Sequence, residues 1–453
     1  MSEAVASTSA AGEDAPPSVT FTLAEAFAYG VQQHRAGNLD EAGKVYAAVL
    51  EREPERADVL NVLGILEHQR GDLAAAAALL RRVVELEPGS AGVWNNLGNV
   101  LMGLDDVDGA AGAFRHSLEL APTPDAWANL ARVFRRRGDW TLSQQACVQA
   151  LSLAPEHGPA MHNLALALML EGRIAEGVEA ALRAMQLLQP GEQRRQVYSQ
   201  ILLQSGEPVQ AAVILRAWLA QEPDNPFVQH HLAACTGEGA PERASDAYVE
   251  MMFDRVASLF DAKLAHLNYR APQAVADAVA RALPAPAGQF DVADIGCGTG
   301  LCGPLLKPWA RRLEGCDLSG EMLQRASRRG AYDDLRKEEL TAFLRERPGR
   351  FDLIVSVDTL IYFGELREVA RAVRGALRAG GLFVFTLEAL AEGEGEGATH
   401  RLQDNGRYAH DGGHARRVFE AAGLEVEAPA EVVVRDEGKV PVRGWLLVAR
   451  HDG

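Results

Sequence analysis

The stretch Phe290-Asp-Val-Ala-Asp-Ile-Gly-Cys-Gly-Thr-Gly-Leu301, with Leu313-Glu-Gly-Cys-Asp317 behind it, decides the fold of the second half of the chain. An apolar strand around 292–295 runs into Gly296, Gly298 and Gly300, which lack Cβ atoms and so let the backbone turn sharply and come close to a ligand. Asp317 lies 23 residues beyond Asp294, at the end of a second apolar run. A carboxylate there can accept hydrogen bonds from both hydroxyls of a ribose. The combination points to a nucleotide-type cofactor. A structural role for the glycines alone, close packing of strand against helix, leaves the matched acid unexplained.

The spacing separates two cofactor classes. A dinucleotide fingerprint places its third glycine three residues after the second, where this chain has Leu301; here the glycines run G-x-G-x-G. With Asp294 ahead of them, they resemble the first motif of the class I S-adenosylmethionine-dependent methyltransferases. That resemblance implies an α/β Rossmann-like domain with a seven-stranded, mostly parallel sheet and S-adenosylmethionine as cofactor. It implies cofactor contacts at Asp294, Gly296, Gly298, Gly300 and Asp317, with Met322 packing beside the adenine. Glu339 takes the place of the aspartate that the family uses to accept the adenine amino group, one methylene further from the backbone.

Length and composition allow this reading. The 453 residues suffice for two or three domains, and 47% hydrophobic content is ordinary for a globular chain. No run of 18 apolar residues occurs, and residues 1–20 read as a disordered tail without a leader, so a cytoplasmic protein with no membrane partner is expected. The five cysteines make neither an even secreted framework nor a zinc-type pair, and read as reduced fillers. The net charge of −17 gives no basic footprint for phosphates, so nucleic acid is excluded as an expected partner.

The first half repeats. Gly37, Gly71, Asp105, Gly138, Gly172 and Gly206 recur every 33 or 34 residues, and Pro54, Pro88, Pro122, Pro155, Pro190 and Pro223 keep nearly the same beat. Small pairs such as Leu63-Gly64 and Leu97-Gly98 precede the turn, and Ala42, Ala76 and Ala110 follow it. Small residues let two helices approach, the glycine turns the chain, and proline ends the second helix. The pattern resembles the tetratricopeptide repeat (TPR), which implies an α-solenoid of six hairpins over 21–223 with a concave binding face. Asn96, Asn129 and Asn163 fall at equivalent first-helix positions. They suit either a groove that binds a peptide or protein backbone, or intrahelical polar contacts that recur with the repeat consensus. Asn61 and Asn95, one position earlier, should face elsewhere.

Residues 224–288 read as linker and capping helices, with an amphipathic helix expected over 248–267, and 289–453 as the catalytic domain. The segment from Phe253 to Asp261 and on to Pro272 resembles the one that precedes the fold in bacterial TPR methyltransferases. That likeness implies an acceptor wall at Tyr269 and Arg270, with plain helix packing as the alternative. Asp358 ends the fourth strand, where such enzymes commonly address the acceptor, unless it caps a helix. Thr359-Leu-Ile-Tyr362 continues as in the family and puts Tyr362 on the acceptor side. Gly406-Arg-Tyr-Ala-His410 resembles the family's insertion, making His410 a candidate base, Tyr408 a helper and Arg407 a fork for a carboxylate. His410 reads equally as a histidine without a catalytic task. The low-complexity run 391–398 reads as a mobile loop.

These expectations amount to a methyltransferase whose array recruits a peptide or protein. The alternatives are a small-metabolite enzyme whose repeats serve assembly, including homo-oligomers, or a scaffold that binds cofactor without turnover.

Overall fold

The computed structural model describes residues 22–188, 192–391, 397–438 and 440–452. The expected tail at 1–20, Pro190 and the centre of the 391–398 loop lie outside them. Two compact units divide the chain between Glu192 and Gln193.

The first unit is five helical hairpins: Leu23–Arg35 with Leu39–Leu50, Ala57–Arg70 with Leu73–Leu86, Ala91–Gly103 with Val107–Leu120, Pro124–Arg137 with Trp140–Leu153, and Gly158–Glu171 with Ile174–Leu187. Each hairpin turns at the periodic position in the left-handed region. Gly71, Gly138 and Gly172 have φ of 86°, 82° and 88°, and Asp105 adopts 64° at the same point despite its side chain. Close approach explains the small residues: a Cβ on Gly98 would stand 2.5 Å from the Phe114 ring, and one on Gly64 2.9 Å from Leu80.

The asparagines form an inter-repeat ladder. Asn96 donates to Asn61 at 3.4 Å, Asn129 to Asn95 at 2.9 Å, and Asn163 to the Ala128 carbonyl at 2.8 Å. Asn61 and Asn95 therefore do not face elsewhere; they accept from the next repeat. Asn163 is buried, whereas Asn96 and Asn99 line a polar depression with Arg132, Arg136 and His68.

The second unit opens with helices Glu192–Gln204, Pro208–Leu219 and Pro226–Thr236, so the sixth hairpin belongs here. Helices Asp246–Val256, Phe260–His266 and Ala271–Ala282 lead into a sheet. Its strands are β1 Phe290–Ile295, β2 Ala310–Asp317, β3 Asp334–Lys337, β4 Phe351–Ser356, β5 Leu377–Ala389, β6 His400–Leu402, β7 Tyr408–His410, β8 Glu425–Val426, β9 Ala430–Glu437 and β10 Val440–Arg450. The main path runs β3-β2-β1-β4-β5-β10-β8, parallel from β3 to β5 and antiparallel across β10. Helices cover both faces, which is why β1, β4 and the latter part of β5 are buried almost without interruption.

One local expectation is corrected, and two details of the sheet stand beside it. The amphipathic run 248–267 is broken by a 3₁₀ turn at Ala257–Leu259, because the pieces on either side are tied to different parts of the β1 and β2 loops, as described below. Gly380-Gly381 lies inside β5, where the N–H of Gly380, at φ 77°, donates to the His451 carbonyl and the His451 N–H donates to the Gly381 carbonyl. Finally, β9 pairs with β10 as a hairpin but stands off the main path, whose last place is taken by the two-residue β8.

Candidate functional site

Parallel sheets offer ligand space beyond the carboxyl ends of their strands where the order reverses, and here that is the crevice past β1 and β4. A cavity of about 940 Å³, its mouth included, opens there. Asp294, Gly296, Gly298, Asp317, Glu338, Glu339 and Asp358 line its sheet side.

Each glycine of the turn has its own reason. Gly296, Gly298 and Gly300 have φ of 74°, 55° and 80°. A Cβ on Gly296 would collide with the Thr359 side chain, and one on Gly300 would meet Tyr332 at 2.9 Å and Ala326 at 3.1 Å. On Gly298 it would meet nothing within 4 Å: that position faces open cavity. Asp317 holds the turn in place, accepting from the Gly298 N–H at 2.9 Å and the Ser319 N–H at 2.8 Å. Burial raises its pKa against the pull of these amides.

Asp294 is 1% exposed and accepts from the Tyr332 hydroxyl at 2.6 Å. Burial pushes its carboxyl up to about 7. Glu339 caps the helix Leu340–Arg345 through one oxygen, which accepts from the N–H groups of Thr341 and Ala342 at 2.9 and 3.0 Å. Its other oxygen, Oε1, is buried without a partner. An acceptor left open at the cavity wall suits a ligand N–H.

Asp358 sits at φ 52°, a conformation that costs an aspartate energy and persists only where the surroundings fix it. Thr386 donates to Oδ1 at 3.2 Å and Arg435 to Oδ2 at 3.0 Å, and Tyr269 lines the same part of the cavity. Burial nevertheless raises the Asp358 pKa. Behind it lies a partly buried charge cluster: Arg435 also binds Glu388 and Glu437, and Arg407 binds both of those at 2.8 and 2.9 Å.

Two helices roof the cavity. Phe253, Phe260 and Val249 face inward, with Tyr269, Tyr362 and Phe363 around them. The roof is fastened by its carboxylates. Lys337 donates to Glu250 at 2.7 Å, Ser319 to Asp254 at 2.5 Å and Thr299 to Asp261 at 2.5 Å, while Arg329 also pairs with Asp261. The Glu242–Ala244 segment of the sequence-level linker joins the wall: the Ala244 N–H donates to the Tyr362 carbonyl, and those of Gly364 and Glu365 to the Glu242 carbonyl.

The cavity thus brings together Asp294, Gly296, Gly298, Asp317, Glu339, Asp358, Tyr269 and Tyr362. It does not include the others. Met322 is fully buried on helix Gly320–Arg328, and Gly300 packs on Tyr332. Arg270 pairs with Asp436 at 3.3 Å, and Arg407 is spent on Glu388 and Glu437. Tyr408 donates to the Pro241 carbonyl. His410 is 1% exposed on β7, and burial pushes its imidazole down to about 4. Tyr332 and the three roof carboxylates escaped the sequence reading. The latter carried a signal, since Glu250, Asp254 and Asp261 are four and seven apart, on one helical face; Tyr332 carried none.

A methyltransferase-domain family matches residues 293–383, the β1–β5 stretch with this turn and cavity wall. Tetratricopeptide-repeat families match 34–91 and 129–192, and 67–133. The chain joins tetratricopeptide repeats to a methyltransferase domain. Among curated proteins it is similar to methyltransferase-like protein 27 of Homo sapiens, with 32% identity over 144 residues. That match covers 31% of this chain and 58% of the relative's length. Among solved structures, an S-adenosylmethionine-dependent methyltransferase from Mesorhizobium loti is 25% identical over 39% of this chain and 96% of its own, with a TM-score of 0.31. The TPR protein YrrB, described with an unusual peptide-binding site, is 17% identical over 41% of this chain and 96% of its own, with a TM-score of 0.32. No helix among the described residues of the methyltransferase domain or the repeats is long and apolar enough to cross a membrane.

Proposed function

We propose that the protein transfers methyl groups from S-adenosylmethionine and that its repeat array recruits a peptide or protein acceptor. The observation that carries the first part is the fit of the cavity wall to that cofactor. Gly298 leaves open space where a side chain would intrude, Asp317 is fixed by two main-chain N–H groups with its oxygens at the cavity, and Glu339 offers an unpartnered buried oxygen. Asp317 would take the ribose hydroxyls and Glu339 the adenine amino group. When bound, the cofactor supplies a methyl carbon already activated by its sulfonium sulfur.

The protein's own contribution is then alignment and exclusion of water. The Phe253 and Phe260 roof closes the site, and Asp358, Tyr269 and Tyr362 face the acceptor. His410, Tyr408 and Arg407 receive no chemical role in this proposal, since their polar groups are buried or bonded away from the cavity. Recruitment by the array would raise the acceptor's concentration at the site without taking part in the chemistry. We place the protein in the cytoplasm, a reading supported by its five free cysteines.

The roof supports a second reading, a small metabolite as acceptor with the repeats used for assembly. Titration calorimetry with S-adenosylmethionine tests the cofactor proposal. We expect micromolar or tighter binding to the wild type and at least about tenfold weaker binding to Asp317→Ala, 1.4 kcal/mol being a factor of ten. No heat with the folded wild type overturns it.

A further inference from the structure

The acceptor side of the cavity has an unusual balance of charge and rings. Among the described residues, the cavity as a whole is lined by five carboxylates, Asp294, Asp317, Glu338, Glu339 and Asp358, against one guanidinium, Arg243. That guanidinium is occupied: it pairs with Asp246 at 2.5 Å and stacks on Phe363 at 5.7 Å. Asp294, Asp317 and Glu339 belong to the turn and the proposed cofactor contacts, and Glu338 pairs with Arg347 at 3.4 Å. Asp358 remains, at the end of β4. The cluster behind it holds three carboxylates, Asp358, Glu388 and Glu437, against two guanidiniums, Arg407 and Arg435. By formal count the cluster carries one negative charge in excess, beside the cavity.

Around that charge stand rings. Phe253 meets Tyr362 edge-on at 5.5 Å and 85°, and Phe260 meets Phe253 at 5.9 Å and 74°. Tyr269 lines the same space as Asp358. Ring faces attract cations, and most strongly where water is excluded. An anionic acceptor would meet excess negative charge with no free cation among the described lining residues to receive it. The guanidinium that a carboxylate acceptor would want, Arg407, is already held by Glu388 and Glu437.

Resting on the methyltransferase reading, we infer that the acceptor group is an amine, held as its ammonium between the Phe253, Phe260, Tyr269 and Tyr362 rings and the Asp358 carboxylate. The ammonium gives one proton to the Asp358 carboxylate. The freed nitrogen lone pair then forms the N–C bond to the methyl carbon as the C–S bond of the sulfonium donor breaks. The bonding pair stays on sulfur, which becomes a neutral thioether. The methylated nitrogen leaves as a secondary ammonium, and the Asp358 proton passes to solvent when the product departs.

The test uses three probes of one shape and different charge: benzylammonium, benzyl alcohol and benzoate. Each is titrated calorimetrically into the full chain, with and without S-adenosylhomocysteine. Benzylammonium should bind at least tenfold more tightly than benzyl alcohol, and benzoate more weakly than either. Asp358→Asn should erase the preference for the cation. Should that variant fail to fold, Phe253→Leu, which keeps the charge and removes a ring, should weaken benzylammonium by about threefold or more while leaving benzoate unchanged. Benzoate bound as tightly as benzylammonium, or no benzylammonium binding at millimolar concentration, overturns the inference. Absence of heat with S-adenosylhomocysteine itself sinks the methyltransferase reading instead, and the ranking of the probes still decides the charge preference of the cavity.

Discussion

The carboxylate of Asp317 accepts a hydrogen bond from the main-chain N–H of Gly298 at 2.9 Å, tying the end of β2 to the turn after β1. The same carboxylate accepts from Ser319, at the start of the next helix, so one acid fixes both walls of the crevice. Hydrogen bonds to a charged acceptor contribute roughly 1.5–3 kcal/mol each. Asp317→Asn retains one acceptor and loses the charge. It should therefore leave a folded protein whose affinity for S-adenosylmethionine falls at least about tenfold, read by calorimetry beside a circular-dichroism melt.

Gly298→Ala separates space from strain. The new Cβ meets no protein atom but must adopt φ 55°, a left-handed conformation that costs an alanine about 1–2 kcal/mol. The melting temperature should drop only slightly, while cofactor affinity should collapse, because the methyl group occupies the cavity. Unchanged affinity would place the ligand elsewhere.

Asp291 and Asp294, three apart on β1, respond to acid in opposite directions. The Arg311 guanidinium beside Asp291, at 2.6 Å, helps hold its carboxyl down at about 2, with Arg378 adding to it. Its folded pKa is depressed, so its contribution is present above about pH 4 and is lost as pH falls toward 2. Burial raises Asp294 to about 7, so the folded state retains a proton that the unfolded chain has lost, and stability declines as pH rises from about 4 to 7. Denaturant titrations across pH should show that Asp294→Asn flattens the upper limb and Asp291→Asn the lower one. Parallel curves for wild type and variants would contradict both assignments.

Much of this was legible because the signals are local. A left-handed turn needs glycine wherever it occurs, so G-x-G-x-G after a strand and the 34-residue beat of hairpin turns both appear in one dimension; Asp105, which adopts φ 64° in a glycine's place, was betrayed by its interval alone. Partnerships across the fold were not. Arg407 reads as a fork for a ligand until Glu388 and Glu437, from β5 and β9, are seen to hold it. His410 reads as a base until β6 and β5 bury it. Tyr332 gains its place beside Asp294 only when β3 pairs with β2.

The inter-repeat ladder ranks three substitutions. Asn163 is buried and bonded at 2.8 Å to the Ala128 main-chain carbonyl; Asn129 bonds at 2.9 Å to another side chain; Asn96 makes a 3.4 Å contact. Loss of stability on change to Ala should fall in that order, from about 1–3 kcal/mol for Asn163 toward zero for Asn96. Chemical denaturation measures it. Asn96→Ala, being stable, is also the variant to assay for a raised KM with a recruited peptide at unchanged cofactor affinity.

The central claim is that the methyl group ends on a peptide or protein recruited by the chain. The full-length protein is incubated with methyl-labelled S-adenosylmethionine and a lysate of its own host, and the products are separated by size, with Asp317→Ala as the blank. The account predicts label in the macromolecular fraction that disappears with the variant. Label confined to small molecules, or no label above the blank, would contradict it.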